Sequence, residues 1–179
     1  MKLMNLINEN QKQTYDYGCA MIYFDFPEIN YIHKLIDPNH IYTEDGDGSF
    51  GLETEPHTTL LYGLHDNVSL DDVKGVMNNH TFNTCRIHNP SLFENQKYDV
   101  LKFDVNGPNL HKVNDDLKKF PFTSDFPDYH PHLTIAYLKS GYGSRYIRKV
   151  GNLQYMLKPI YGVYSEPNGT KTKIDLNIT

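Results

Sequence analysis

Two short segments of this 179-residue chain carry the same pattern, and that repetition limits its possible folds more than any other feature. His57-Thr58-Thr59-Leu60-Leu61-Tyr62 and His132-Leu133-Thr134-Ile135-Ala136-Tyr137 match in His, Thr and Tyr at the same offsets, with apolar residues at the third and fourth offsets of both. Each copy lies in a run rich in apolar, β-branched and aromatic residues, HTTLLYGL and HLTIAYL, which reads as a strand. Each is followed by a helix and a further strand, so the repeat predicts two similar lobes. Residues i and i+2 of a strand share a face, so each His shares a face with its Thr. Tyr62 and Tyr137, at odd offset, are then expected to point the other way, into the core. A polar pair repeated on one face of two otherwise apolar strands is costly to bury without a purpose.

The remaining elements fit around this pair. Residues 18–26 (GCAMIYFDF) read as a buried strand stopped by Pro27, and residues 28–37 as a short helix closed by Asp37-Pro38. Residues 45–49 (DGDGS) read as a turn. Ser69, followed by Asp71 and Asp72, opens a helix running to about Asn78. Strands are expected over 82–88 and 98–105. Leu110, Val113, Leu117 and Phe120 recur at helical spacing, a loop covers 121–131, and a short basic helix covers 144–150. Strands at 160–164 and 172–178 close the sheet. The order is α+β, without a Gly-rich phosphate loop. One domain over 1–179 is expected, with 1–16 as an N-terminal extension.

Composition narrows the class. The N-terminal segment lacks the apolar run of a signal peptide, and no segment is long and apolar enough to span a membrane, so a soluble cytoplasmic protein is expected. Cys19 and Cys85 sit in apolar strand-like segments without metal-ligand spacing and read as reduced, buried thiols. The net charge of −5 disfavours long nucleic acid, whose binding needs many Lys and Arg against phosphates. The basic residues Lys139, Arg145, Arg148, Lys149, Lys158, Lys171 and Lys173 nevertheless face only Glu166 and Asp175 as acids beyond residue 138. A local positive field on an acidic protein suits a small anionic ligand.

The two segments His57-Thr58-Thr59-Leu60 and His132-Leu133-Thr134-Ile135 resemble the paired H-x-T/S-h motifs of the 2H phosphoesterase superfamily, one in each half of a bilobal α+β fold around a central cleft. The resemblance covers most of residues 17–178. The strings GLETEPHTTLLYGL (51–64) and SLFENQKYDVLKFDV (91–105) are similar to the bacteriophage branch of that superfamily, the anti-CBASS phosphodiesterases that degrade cyclic-oligonucleotide immune signals. The resemblance implies catalysis by His57 and His132 without a metal or other cofactor. One ring removes the proton of the attacking 2′-hydroxyl and the other protonates the departing 5′-oxygen, since a pKa near 6.5 allows one neutral and one charged ring. It implies that Thr59 and Thr134 donate to the non-bridging phosphate oxygens. It further implies that Tyr23 and Glu166, matched by position, hold a base of a small cyclic oligonucleotide. The chain has no tryptophan, which the branch can use for stacking, so a Phe or Tyr has to substitute.

Other readings stay open at this level. His57, His130 and His132 are a conceivable transition-metal set, although no Cys or carboxylate has ligand-like spacing to them. A nucleotide sponge would keep the aromatic and basic residues without needing both histidines. A 2′,3′-cyclic or 2′–5′ RNA phosphodiesterase would use the same four residues. His33, His40, His65, His80, His88 and His111 read as surface side chains, and neither which motif histidine is the base nor the oligomeric state follows from sequence.

Overall fold

A computed structural model describes residues 14–179, so most of the expected N-terminal extension lies outside the described residues. The elements in chain order are β1 (Gly18–Asp25), α1 (Ile29–Lys34), β2 (His57–Leu64), α2 (Leu70–Asn78), β3 (Thr81–Phe82), β4 (Cys85–Glu94), β5 (Tyr98–Asn106), α3 (Leu110–Leu117), β6 (His132–Lys139), α4 (Gly143–Val150), β7 (Tyr155–Ser165), β8 (Lys171–Ile174) and β9 (Asn177–Ile178). Seven strands form one antiparallel sheet in the order β2-β1-β7-β4-β5-β6, with β8 added to β7. β3 and β9 pair in parallel as a small separate ribbon.

The sheet divides into two related halves, β2-β1-β7 and β6-β5-β4. In each half the motif strand is outermost and its partner is the strand that precedes it in the chain. The third strand of each half is supplied by the other repeat: β7 follows the second motif but pairs with β1, and β4 follows the first but pairs with β5. The helices are exchanged in the same way. α1, which follows β1, packs on β6, and α3, which follows β5, packs on β2; α2 lies beside α3, and α4 covers β4 and β5. The bilobal α+β architecture expected from the repeat is therefore present, with lobes interleaved.

Packing of α1 to α4 against one face of the sheet builds the main core, from Ala20, Ile22, Leu60, Leu64, Ile87, Leu101, Phe103, Leu133, Ile135 and Leu138 on the strands and Ile32, Val73, Met77, Val113, Leu117 and Tyr146 on the helices. Burying such side chains stabilises the fold by ~1.5–3 kcal/mol each before conformational entropy is counted. The helix at 70–78 starts as expected, with Ser69 and Asp72 forming a reciprocal capping box. Gly63 is required where it stands. Its φ is +108°, and a Cβ there would lie 1.9 Å from the carbonyl oxygen of Thr123, whose N–H donates to Gly63 O at 2.9 Å.

Three elements depart from expectation. The strand expected over 82–88 is a ribbon at 81–82 and a long strand that continues to Glu94. Pro90 has no N–H for a ladder, but Asn89 adopts φ 52° and the register shifts between His88 and Ser91, so the pair forms a bulge inside a strand. β7 begins at Tyr155 because Pro159 likewise falls where the register to β1 shifts. The expected strand at 172–178 breaks into β8 and β9.

The histidines also depart. His33, His40 and His80 are half-buried and tie elements together. His33 Nε2 meets Ile135 O at 3.0 Å, His40 Nδ1 meets Tyr146 Oη at 2.6 Å, and His80 Nε2 meets Asp116 Oδ2 at 2.7 Å.

Candidate active site

The two motifs sit at matching places in the two halves, and their local backbones agree in detail. The burial of β2 and β6 follows one pattern: His57 and Thr59, like His132 and Thr134, are half-buried, while Thr58, Leu60, Leu133 and Ile135 are in the core. Both strands bulge at the residue after the threonine. Pairing runs Ala20↔Leu61 then Met21↔Thr59 in one half, and Leu101↔Ala136 then Lys102↔Thr134 in the other, leaving Leu60 and Ile135 as the extra residues.

These bulges overturn the expectation for the tyrosines. An inserted residue resets the two-residue alternation, so Tyr62 is 52% exposed and Tyr137 is half-buried against Phe50 and Tyr98. Neither is a core residue.

Each histidine is held by the same device. Nδ1 of His57 lies 2.8 Å from Glu55 O, and Nδ1 of His132 lies 3.0 Å from His130 O, two residues back in both cases. A carbonyl only accepts, so Nδ1 carries the proton in both rings and Nε2 is the atom left for chemistry. Among the described residues neither Nε2 has a hydrogen-bond partner. A proline precedes each histidine, and its carbonyl accepts from the neighbouring strand: Phe24 N to Pro56 O and Val105 N to Pro131 O, both 2.9 Å. Proline restricts the residue before it to extended backbone, which is where Glu55 and His130 must lie to present their carbonyls. The repeat is thus P-H-x-T, and Pro56 and Pro131 are site residues that sequence reasoning missed although both are visible in the chain.

The carbonyls at the bulges are both met by side chains from exchanged helices, and Ile135 O also accepts from Glu53 N at 2.9 Å. Asn114 Nδ2 of α3 donates to Leu60 O at 2.6 Å, and His33 of α1 meets Ile135 O. Tyr129 Oη donates to Thr59 O at 3.0 Å. The sheet curls enough for β2 and β6 to touch, and the charge of His57 is felt at His132.

On the face opposite the helices, His57 heads an aromatic ladder. Its ring stacks on Tyr23 at 5.1 Å, Tyr23 stacks on Tyr161 at 5.2 Å, and Lys173 Nζ lies 4.2 Å from the Tyr161 centroid. Met21, Val163 and Cys19 pack beside it as a second, smaller apolar cluster. Tyr23 therefore stands directly beside the first motif, with both ring faces already covered. Burial pushes the half-buried Cys19 thiol up to about 12 despite a contact to Thr59, so it is protonated and inert; Cys85 is buried and likewise pushed up to about 11. Glu166 lies elsewhere. It follows Ser165, which pairs with Cys19, whereas His57 pairs with Tyr23 four residues along β1. At ~3.4 Å per residue that is roughly 17 Å from the histidine along the strands. There Glu166 sits at the turn between β7 and β8, its N–H donating to Thr170 O.

Around His132 the neighbours differ. Asp104 pairs opposite it and Lys102 opposite Thr134. Lys102, 8% exposed, donates from Nζ to Ser91 Oγ at 2.8 Å and to Asp104 Oδ1 at 3.1 Å, and lies 4.6 Å from the Phe93 ring centroid. Phe93, 46% exposed, meets His132 edge-on at 5.0 Å. Burial, then the Lys102 ammonium and the charge on His57, hold His132 below the ordinary histidine value, against opposing contributions from His130 O and Asp104. The sequence alone places Lys102 on the strand expected over 98–105 and Phe93 on no expected element, both within the 91–105 string. His130 is exposed and its ring lies outside this arrangement. Among the described residues no three His, Cys, Asp or Glu side chains converge as a metal-ligand set.

Comparison with known proteins places the chain. The family model described as "Anti-CBASS protein Acb1" matches residues 52–158, a stretch that includes both P-H-x-T segments. No curated protein matches. Among solved structures, Usb1 of Kluyveromyces marxianus superposes with a TM-score of 0.57 at 14% identity, over 90% of this chain and 99% of that one. The same protein with uridine monophosphate gives 0.56 at 13%, over 90% and 98%. At such identity the likeness is one of fold, the 2H phosphoesterase fold.

Proposed function

The chain belongs to the anti-CBASS protein Acb1 family, and from that membership we propose that it is a phosphodiesterase that cleaves 3′–5′ bonds of cyclic di- or trinucleotide signals by two-histidine acid–base catalysis. The observation that carries this reading is the pair of half-buried histidines, each with Nδ1 anchored to the carbonyl two residues back and Nε2 unpartnered. With Nδ1 fixed as donor, a neutral ring presents a basic Nε2 and a charged ring an acidic one, the two states the reaction needs. Thr59 and Thr134 share the histidines' faces, where their hydroxyls reach the non-bridging phosphate oxygens. The 2′-hydroxyl attacks phosphorus, the P–O5′ bond breaks, and the product is a 2′,3′-cyclic phosphate with a free 5′-hydroxyl; no water is consumed in this step. Exposed Arg86 on β4 and Lys173 on β8 supply local positive charge on an otherwise acidic chain. Acidity overall favours a small anion over a polymer. That a protein of this fold is known with uridine monophosphate agrees with a nucleotide-sized ligand. The biological role that follows is evasion of cyclic-nucleotide defence by a phage, acting in the host cytoplasm.

The test is turnover of cyclic di- and triadenylate, resolved by mass. His57→Ala or His132→Ala is expected to lower the rate by ~10²-fold or more with ligand binding kept, and 2′-deoxy analogues are expected to be inert. Intact cyclic oligonucleotides alongside consumed 2′,3′-cyclic mononucleotides or 2′–5′ oligomers would refute the substrate assignment.

A further inference from the structure

The two halves agree in backbone but not in charge. Beside His57, the carboxylate of Glu53 lies with Oε2 3.7 Å from Nδ1, so a doubly protonated His57 has an ion-pair partner. The carboxylate facing His132 is Asp104, directly opposite it on β5 in the place that Tyr23 takes opposite His57. Both oxygens of Asp104 are engaged elsewhere, Oδ1 by Lys102 Nζ at 3.1 Å and Oδ2 by Asn89 Nδ2 at 2.6 Å. Lys102 thereby offsets the one carboxylate facing His132, so that ring has no free carboxylate to match Glu53 beside His57. The other charged or titratable groups about His132 are His57 across the gap, exposed His130 on its own segment, and His88, which pairs with Asp104 from β4. Around His57 they are Glu53, Glu55, Tyr23 and His132.

Building on the two-histidine reading above, we propose that Glu53 and Lys102 are positioning residues that set the two histidines apart, so that His132 enters the reaction neutral as the base and His57 enters charged as the acid. A carboxylate already paired with Lys102 gives little support to a second proton on His132, whereas the carboxylate of Glu53 compensates the one on His57. His132 Nε2 then takes the 2′-hydroxyl proton while His57 Nε2 gives its proton to O5′ as the P–O5′ bond breaks. The step leaves His132 charged and His57 neutral, so atoms and protons balance without a further reactant. The depressed proton affinity of His132, caused first by burial, agrees with this direction.

A leaving group that needs no proton separates the roles. The probe is cyclic triadenylate or diadenylate, whichever is turned over, and its analogue with sulfur in place of the bridging 5′-oxygen, since a thiolate departs without an acid. H57A and H57Q are expected to lose ~10²-fold or more on the oxygen ester and to recover to within about tenfold of wild type on the sulfur ester. H132A and H132Q are expected to fail on both. E53Q should slow the oxygen ester more than the sulfur ester, and K102M should move the acidic limb of the rate–pH profile upward, neither of which a merely structural role would do. Rescue of the His132 variants instead, or of both or neither pair, would overturn the assignment. Wild-type rates in all four histidine variants would sink the two-histidine reading itself, and are thereby told apart from a wrong assignment within it.

Discussion

Replacing Asn114 by leucine tests whether the exchanged helices hold the motif strands in place. Asn114 is 1% exposed and spends its side-chain amide on a 2.6 Å bond to Leu60 O. That carbonyl belongs to the bulged residue between Thr59 and Leu61, so no strand amide is available to it, and Leu60 itself is fully buried. Leucine nearly conserves volume, which keeps cavity terms small. What changes is that a buried acceptor loses its partner, at a cost of ~1–3 kcal/mol. Taking the middle of that range, a chain of this length is expected to melt roughly 4–8 °C lower. Thermal and urea unfolding followed by circular dichroism measure this, and the urea slope should be unchanged because the same surface is exposed on unfolding. Turnover should fall more than the folded fraction accounts for, since a shift near 1 Å at His57 costs up to ~10²-fold. A midpoint within one degree of wild type would show that water or a relaxed backbone satisfies Leu60 O, and the cross-lobe account of the site would be wrong.

Four further perturbations have expected outcomes. Thr58 is 1% exposed and its hydroxyl is the single buried side-chain polar atom without a partner among the described residues, so Thr58→Val should raise the melting temperature by about 2–4 °C, for ~1 kcal/mol; a drop would reveal a hidden partner. Gly63→Ala forces a Cβ onto the Thr123 carbonyl at positive φ and should cost ~3 kcal/mol or more, seen as loss of soluble protein or a markedly lower midpoint. Because His132 is held below the ordinary histidine value, the unfolded chain binds its proton first as pH falls, so this residue should erode stability below about pH 6.5. It should also keep the acidic limb of the rate profile below that pH; a limb at or above it would contradict the assignment of His132 as base. Activity is expected to survive EDTA, and loss restored by zinc or manganese would point to metal ligation by His57, His130 and His132.

How much of this was legible in the chain depends on whether the relevant neighbours are close in sequence. The H-x-T pairs are, because strand alternation over three residues suffices to put His and Thr on one face. Pro56 and Pro131 were equally legible and went unread. Tyr62 and Tyr137 were misplaced because a bulge at the intervening residue resets the alternation, and neither Leu60 nor Ile135 carries a bulge signal of its own. Lys102 and Asp104 are of another kind. Their meaning rests on which residue each one faces across strands, and that register is fixed by the bulges at Ile135 and at Asn89-Pro90. A lysine two residues before an aspartate on an alternating strand reads as a solvated edge until Ser91, Phe93 and Thr134 are placed around it.

Under the proposed two-histidine reading, the interleaving of the lobes is what would let two distant copies of a short motif act on one phosphate. If each lobe were built from its own repeat alone, the spacing between β2 and β6 would depend on the linker between them and would vary with its motion. Here the helix after β1 satisfies a carbonyl on β6, the helix after β5 satisfies one on β2, and β4 and β7 each complete the sheet of the other half. Separating the two repeats would break the β1–β7, β4–β5 and β4–β7 pairings and take Asn114 and His33 away from the two bulge carbonyls next to the motif threonines. Leaving Leu60 O without its partner costs ~1–3 kcal/mol, before the exposure of the shared core is counted. The placement of β2 relative to β6 is therefore set by the same contacts that stabilise the fold, which would hold the proposed acid and base in position before a substrate arrives.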